Sequence, residues 1–196
     1  TYLAMRVAVQ GLPPFLIGGV RFLTAGVLLG AWVAWRERPG WPSRRTWAWA
    51  VATGALLFIG GNGGVLWAGR TVPSGVVALL AASLAIWMVL LDWLRPGGQR
   101  PTALVVAGAA LGLAGVGLLV GPAELAGAGR IDPVGASLVL GGSLAWAAGS
   151  LLGRSRRAPA SPILGSAMQM VAGSALLLAL AAAHGDLRAE GLRATL

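Results

Sequence analysis

The sequence predicts an all-α integral membrane protein with six complete transmembrane helices and the end of a seventh, and three observations support this prediction. The 196 residues are 57% hydrophobic and only 11% charged, more apolar than a soluble domain of this size can bury. The apolar residues form six runs of about 20 residues, the length that an α-helix needs to cross about 30 Å of hydrocarbon. Short polar or glycine-rich stretches separate the runs.

The spans follow one another along the chain with short connections. Residues 1–10 are interpreted as the last turns of a helix that the turn at 11–14 stops. The break at 70–74 is so short that the spans on either side must be antiparallel neighbours. We expect a glycine- and alanine-rich loop at 122–132 and a polar tail at 184–196. The predicted spans are 14–35, 46–69, 73–94, 102–121, 133–153 and 162–183.

The arginines predict the orientation of these spans, because cytoplasmic loops retain positive charge. Nine arginines fall on one side, at 36, 38, 44, 45, 95, 100, 154, 156 and 157, and four on the other, at 70, 130, 188 and 193. The first side is therefore predicted to be cytoplasmic. Tryptophans 32, 35, 41, 47, 49 and 93 lie near the same interface, as an aromatic belt would. Topology thus accounts for the net charge of +9 better than a nucleic-acid partner does.

The sequence lacks the residue clusters of common catalytic and metal sites. There is no cysteine, and the single histidine, His184, has no second ligand nearby in the sequence. No nucleotide-binding loop, helical His-Glu metal pair or nucleophile with a histidine partner is found. An intramembrane transferase would need clustered acids or histidines, whereas the 6 acids are scattered. We expect no enzyme activity, no cofactor and no metal.

Arg21 is the leading candidate functional residue, because it lies inside the first span. Its Cα is roughly 10 Å from the Pro14 end of the helix. A charge at such depth costs at least about 2.5 to 3.5 kcal/mol, so the side chain should face the protein interior or a watery cavity. It could anchor an anionic group or form an ion pair that switches between conformations. The alternative is a structural arginine that donates to a carbonyl at a helix end.

An internal repeat supplies Arg21 with a predicted partner. At an offset of 148 residues, Arg6, Pro14, Leu16 and Arg21 align with Arg154, Pro162, Leu164 and Gln169. The second copy begins five helices after the first, and an odd number of helices inverts it. Inverted repeats are typical of transporters, whose substrate site lies near the midplane at the repeat interface. Chance similarity between two apolar helices is the alternative.

Five further residues are candidates for a substrate site. Asn62 lies in GGNGG, where glycines permit either local unwinding or close helix packing. Gln169 could hydrogen-bond a polar substrate or a neighbouring helix. Trp67, Trp87 and Trp146 could line an aromatic pocket, although packing is the simpler role for each. Near the cytoplasmic side, Asp92 could titrate as a proton-coupling site, but an ion pair with Arg95 is the simpler interpretation.

Glycine is abundant, at 31 residues, and membrane helices rely on close backbone approach. Five pairs are spaced four apart, which predicts a tightly packed bundle: Gly26/Gly30, Gly60/Gly64, Gly108/Gly112, Gly117/Gly121 and Gly149/Gly153.

Several short segments carry a resemblance to a known family. They are GLPPF with RF at 21–22, GN at 61–62, WA at 67–68, VPSG at 72–75, ALL at 78–80, the glycine-rich run 108–122, LAWAAGSLLGR at 144–154 and 162–170. In this order and spacing, the chain resembles the drug/metabolite transporter superfamily, specifically EamA-type bacterial permeases. Two positions depart from the family pattern: Ala85 replaces a helix-kinking proline, and Gln99 replaces an acid.

The resemblance implies a ten-helix bundle of two inverted five-helix repeats in the bacterial inner (plasma) membrane. Residues 1–122 would be the first repeat, with helix 1 truncated, and 123–196 the start of the second. The implied function is secondary transport of small metabolites, amino acids or drugs by alternating access, with export as the expected direction. A small-molecule substrate, the lipid bilayer and a second copy in a homodimer are the expected partners. A non-transporting structural or regulatory subunit is the alternative.

Overall fold

The computed structural model describes residues 13–38, 40–69, 71–127, 132–154, 159 and 161–184. These residues form helices and no strand, which confirms the predicted all-α membrane fold. The partial helix predicted at 1–10 lies outside them. Eight α-helices and one π-helix are described: α1 Pro14–Glu37, α2 Arg44–Gly54, π1 Ala55–Gly63, α3 Gly64–Ala68, α4 Ser74–Ala81, α5 Leu84–Leu94, α6 Ala103–Gly127, α7 Pro133–Gly153 and α8 Pro162–Ala183.

These elements form six helical segments that are long and apolar enough to cross a membrane, in agreement with the prediction. Helices α1, α7 and α8 each form one segment. The second segment, Arg44–Ala68, comprises α2, π1 and α3, and the third, Ser74–Leu94, comprises α4 and α5. The fourth is Ala103–Gly121, where Gly121 leaves helical geometry with a φ of 78°. Residues 122–127 are helical again, so the loop predicted from Pro122 is wrong for this stretch.

Helices α1 and α8 pack antiparallel along a seam of small residues. A Cβ at Gly19 would lie 2.6 Å from Leu178 Cδ2, and one at Gly26 would lie 2.8 Å from Met170 Cβ. At Gly30 the corresponding distance to Ala167 Cβ is 3.8 Å. The absence of side chains at these positions lets the two helices approach closely.

Helix α7 also packs closely against the second segment. A Cβ at Gly60 would lie 2.6 Å from Ala145 Cβ, and one at Gly64 would lie 2.6 Å from the carbonyl oxygen of Leu138. Gly149 likewise approaches Leu56 and Leu57. The predicted close packing is therefore confirmed for three of the five glycine pairs. In α6, added Cβ atoms at Gly108, Gly112 and Gly121 would meet nothing within 4 Å in the described structure.

Trp49 departs from the predicted aromatic belt. Its side chain is only 5% exposed, and its Nε1 donates to the carbonyl oxygen of Leu152 at 3.0 Å. It packs with Ala50 and Met168 in a small core. Trp32, Trp35, Trp41, Trp47 and Trp93 are exposed, as belt residues would be.

Hydrogen bonds to Asp132 link the start of α7 to the turn that precedes α4. Its Oδ2 accepts from Thr71 Oγ1 at 2.8 Å and from the Gly135 amide at 3.1 Å, while Oδ1 accepts from the Val134 amide at 3.1 Å. The Thr71 hydrogen bond, followed by the backbone hydrogen bonds, holds the pKa of Asp132 below its ordinary value. The ionised carboxylate therefore stabilises the fold above pH about 4, and this contribution is lost as pH falls through the lowered pKa.

Replacing Asp132 with alanine should lower Tm at pH 7 and should make less difference at pH 3, where protonation has already weakened the wild-type contacts. Melting curves of the purified protein at the two pH values measure this effect. Ser161→Ala is the matched control, because Ser161 Oγ accepts from the Leu164 amide at 3.4 Å and does not titrate. Equal Tm differences at both pH values for Asp132→Ala would contradict the prediction.

Candidate functional site

A cavity of about 380 Å³ lies among the helices near the middle of the segments. Four parts of the structure form its walls: α1, the junction of π1 with α3, the junction of α4 with α5, and α7. The lining residues are Arg21, Phe22, Gly61, Asn62, Val65, Ala81, Leu84, Gly142, Ser143 and Trp146. The structure thus brings together three of the six predicted site residues: Arg21, Asn62 and Trp146.

The cavity lies where two of the membrane segments depart from regular α-helix. The π-helix Ala55–Gly63 contains GGNG, and π-helical turns are frequent at functional sites. The third segment is interrupted at Ala82–Ser83, where the Ser83 amide donates to Leu80 at 3.1 Å in place of an i−4 carbonyl. The helix is interrupted here although this chain has Ala85 where the family often has a proline. Backbone irregularity inside a membrane is tolerated where it is buried in protein or lines a cavity.

Arg21 lines the cavity and is also exposed at the surface of the described structure. Its Cζ lies 4.3 Å from the ring centroid of Phe22, a cation–π contact. Among the described residues the one ion pair joins Arg95 Nε to Asp92 Oδ1 at 3.0 Å. No described carboxylate therefore pairs with Arg21, and its side chain lines a cavity of about 380 Å³. The predicted Asp92–Arg95 pair is confirmed.

Asn62 and Trp146 also line the cavity. Asn62 is only 8% exposed, and its Nδ2 donates to the carbonyl oxygen of Leu57 at 3.3 Å, five residues earlier. Trp146 lies against Gly61, where an added Cβ would come within 2.5 Å of Trp146 Cε3. Glycine at 61 therefore lets the indole pack closely against the π-helix beside the cavity. Close packing, one of the two alternatives for GGNGG, is observed at Gly61 and Gly64, and the segment is π-helical rather than unwound.

Two further polar or aromatic side chains, those of Phe22 and Ser143, line the cavity and were not predicted from the sequence. Phe22 follows Arg21 directly and also packs edge-on against Phe58, with ring centroids 4.5 Å apart. Ser143 precedes Trp146 by three residues, which places both on one face of α7. Its Oγ donates to the Val139 carbonyl at 2.9 Å. The helical spacing from Trp146 was the signal that could have identified Ser143.

The other three candidates lie elsewhere. Trp67 stacks with Phe15, with centroids 6.2 Å apart, and lies 6.3 Å from the His184 ring. Trp87 is on α5 and is absent from the cavity wall. Gln169 Nε2 would lie 3.7 Å from a Cβ at Gly153, at the far end of α7. Since Gly19 and Gly26 lie against Leu178 and Met170, Gln169 is about 10 Å along the helix axis from the level of Arg21.

Comparison with known proteins agrees with this architecture. The EamA-like transporter family model matches residues 1–121. The uncharacterized inner membrane transporter YedA of Escherichia coli is 36% identical over 180 residues, which are 91% of this chain and 56% of YedA. The uncharacterized transporter YvbV of Bacillus subtilis is 29% identical over 175 residues, 88% of this chain and 55% of YvbV. No solved structure matches the chain significantly.

The chain spans about half the length of these curated relatives. Its six membrane-spanning segments and its similarity to an inner membrane protein identify a multi-pass protein of the bacterial inner membrane. The family match covers more than half of the chain, and the similarity to YedA extends over nearly all of it. This chain therefore belongs to the EamA-like transporter family.

Proposed function

We propose that the protein is a secondary transporter that exports small metabolites, amino acids or drugs across the inner membrane by alternating access. The cavity lined by Arg21, Asn62 and Trp146 is the observation that carries this proposal. Its volume of about 380 Å³ falls within the range of about 300 to 1,000 Å³ that small-molecule sites occupy. The proposal also draws on family membership and on the transporter names of both relatives.

The chemistry of the wall favours a solute with an anionic group. A guanidinium presents a planar set of N–H donors that matches a carboxylate or phosphate. Surrounding apolar groups strengthen this attraction by lowering the local dielectric constant. Trp146 and Phe22 would contact the apolar body of the solute, and the Asn62 amide would hydrogen-bond a polar substituent. Gln169, on α8, lies outside this cavity and would hydrogen-bond the solute at another point of its path.

Alternating access requires the cavity walls to separate on one side and then on the other. We propose that residues 1–122 and 123–196 belong to two inverted repeats whose relative movement opens the cavity alternately. On this proposal the cavity lies between the two, because α1, π1, α3, α4 and α5 fall within residues 1–122 and α7 falls within residues 123–196. The π-helix and the interruption at Ala82–Ser83 provide the places where the walls would bend.

Uptake into proteoliposomes that contain the full-length protein tests this proposal. A panel of labelled anionic, zwitterionic and cationic solutes should include one that moves faster than into protein-free vesicles. Ala81→Phe should abolish this transport by filling the cavity, whereas Ala110→Phe should retain it, since Ala110 is exposed on α6. Membrane insertion and monodispersity are compared for both variants. No transport of any solute by well-folded protein would favour the structural or regulatory subunit instead.

A further inference from the structure

A second concavity lies at the predicted cytoplasmic end of α1. This groove has a volume of about 410 Å³ and opens between α1, the start of α2 and α8. Its walls are almost entirely apolar, and they include Gly30, Ala31, Ala34, Trp41, Trp47 and Leu164.

The groove is separate from the Arg21 cavity. Val27, Gly30, Ala31 and Ala34 are spaced three and four apart, so they form one stripe along α1. At 100° per residue, Arg21 lies about 130° around the helix from the middle of this stripe. The two concavities therefore open on different sides of α1. The small side chains of the stripe leave the space that the groove occupies.

The groove combines an apolar interior with a basic, aromatic mouth. Trp41 is 95% exposed, and such rings favour the boundary between hydrocarbon and water. Residues 36–45 hold four arginines against one acid, Glu37. Arg44 precedes Trp47 by three residues on the same face of α2, and Arg38 is two residues from the groove residue Gly40. Arg45 instead lines a different cavity, with Trp49 and Leu152.

We infer that this groove binds an anionic phospholipid of the inner membrane. One acyl chain lies along the small-residue stripe of α1, and the phosphate lies at the mouth near Arg38 and Arg44. Charge complementarity selects this occupant, because basic segments beside membrane helices attract anionic lipid head groups. The apolar interior excludes a free inorganic phosphate as the whole ligand.

Native mass spectrometry of the full-length protein, titrated with dioleoylphosphatidylglycerol or dioleoylphosphatidylcholine, tests the inference. Arg38→Gln combined with Arg44→Gln should weaken phosphatidylglycerol binding about 30-fold and leave phosphatidylcholine nearly unchanged. Arg44→Gln alone should weaken it more than its neighbour Arg45→Gln does. The two single variants remove the same charge from adjacent positions.

A second pair of variants probes the apolar part of the groove. Gly30→Leu should weaken binding of both lipids, because its side chain would occupy the stripe. Gly112→Leu is the matched control, since an added Cβ there meets nothing within 4 Å in the described structure. Equal effects of Arg44→Gln and Arg45→Gln, or of Gly30→Leu and Gly112→Leu, would overturn the inference. Either result would indicate that the lipids are attracted to the protein surface in general. Neither result would contradict the proposed transport through the Arg21 cavity.

Discussion

Replacing Arg21 with glutamine should slow transport of an anionic solute by about 10- to 150-fold in proteoliposomes of the full-length protein. The estimate follows from the contribution of a hydrogen bond to a charged group, about 1.5 to 3 kcal/mol. Glutamine keeps a polar group on a shorter side chain and removes the positive charge from the cavity wall. Lysine at the same position should give an intermediate rate, because it keeps the charge and loses the planar set of donors.

Two controls isolate the role of the cavity. Arg100→Gln removes the same charge at the predicted cytoplasmic surface and should leave transport near the wild-type rate. The sequence predicts that Arg21→Ala and Gln169→Ala both impair transport with insertion intact. Because Gln169 lies about 10 Å along the bundle from Arg21, we expect the smaller loss for Gln169→Ala. Wild-type transport by inserted Arg21→Gln protein would instead make Arg21 a structural residue.

Replacing Gly142 with valine should destabilise the protein by about 3 kcal/mol and lower its Tm. A Cβ at Gly142 would lie 2.9 Å from the carbonyl oxygen of Gly60 and 3.2 Å from that of Gly61. These atoms belong to the backbone of the π-helix, so they cannot move aside as a flexible side chain would. Helix α7 would have to separate from π1 and deform the wall of the cavity.

The adjacent glycine provides a closely matched control. A Cβ at Gly141 would meet nothing within 4 Å in the described structure, so Gly141→Val should leave Tm almost unchanged. Thermal melting of both purified variants in one detergent measures the difference. Similar Tm values for Gly141→Val and Gly142→Val would show that the close contact between α7 and π1 does not stabilise the protein.

The membrane segments could be predicted because length and apolarity alone define them. A spanning helix must satisfy its backbone internally over about 20 residues, so loops with arginine, proline or glycine mark its ends. The depth of Arg21 was predictable for the same reason. The position of Arg21 within the first apolar span determines its depth in the bilayer. At that depth, a charged side chain is favoured in the protein interior or in a watery cavity.

The irregular windings could not be predicted in the same way. Hydropathy does not distinguish an α-helix from a π-helix. The glycines of GGNGG therefore indicated only that the backbone could depart from regular α-helix. The interruption at Ala82–Ser83 has no proline to mark it. Burial of Trp49 depends on a hydrogen bond to Leu152, 103 residues away in the sequence. The position of Gln169 depends on how far α8 is shifted along its axis relative to α1. Contacts with neighbouring helices determine this shift.

The seam between α1 and α8 has a consequence for how the protein is made. The most extensive partner of α1 is the last described helix, and the second segment packs chiefly against α7 and α8. Helix α1 and the second segment therefore find their main contacts only after α7 and α8 have been synthesised and inserted. Until then, the glycine-lined sides of α1 and π1 face lipid or chaperones. Helix α1 and the second segment thus reach their packed arrangement only when α7 and α8 join them.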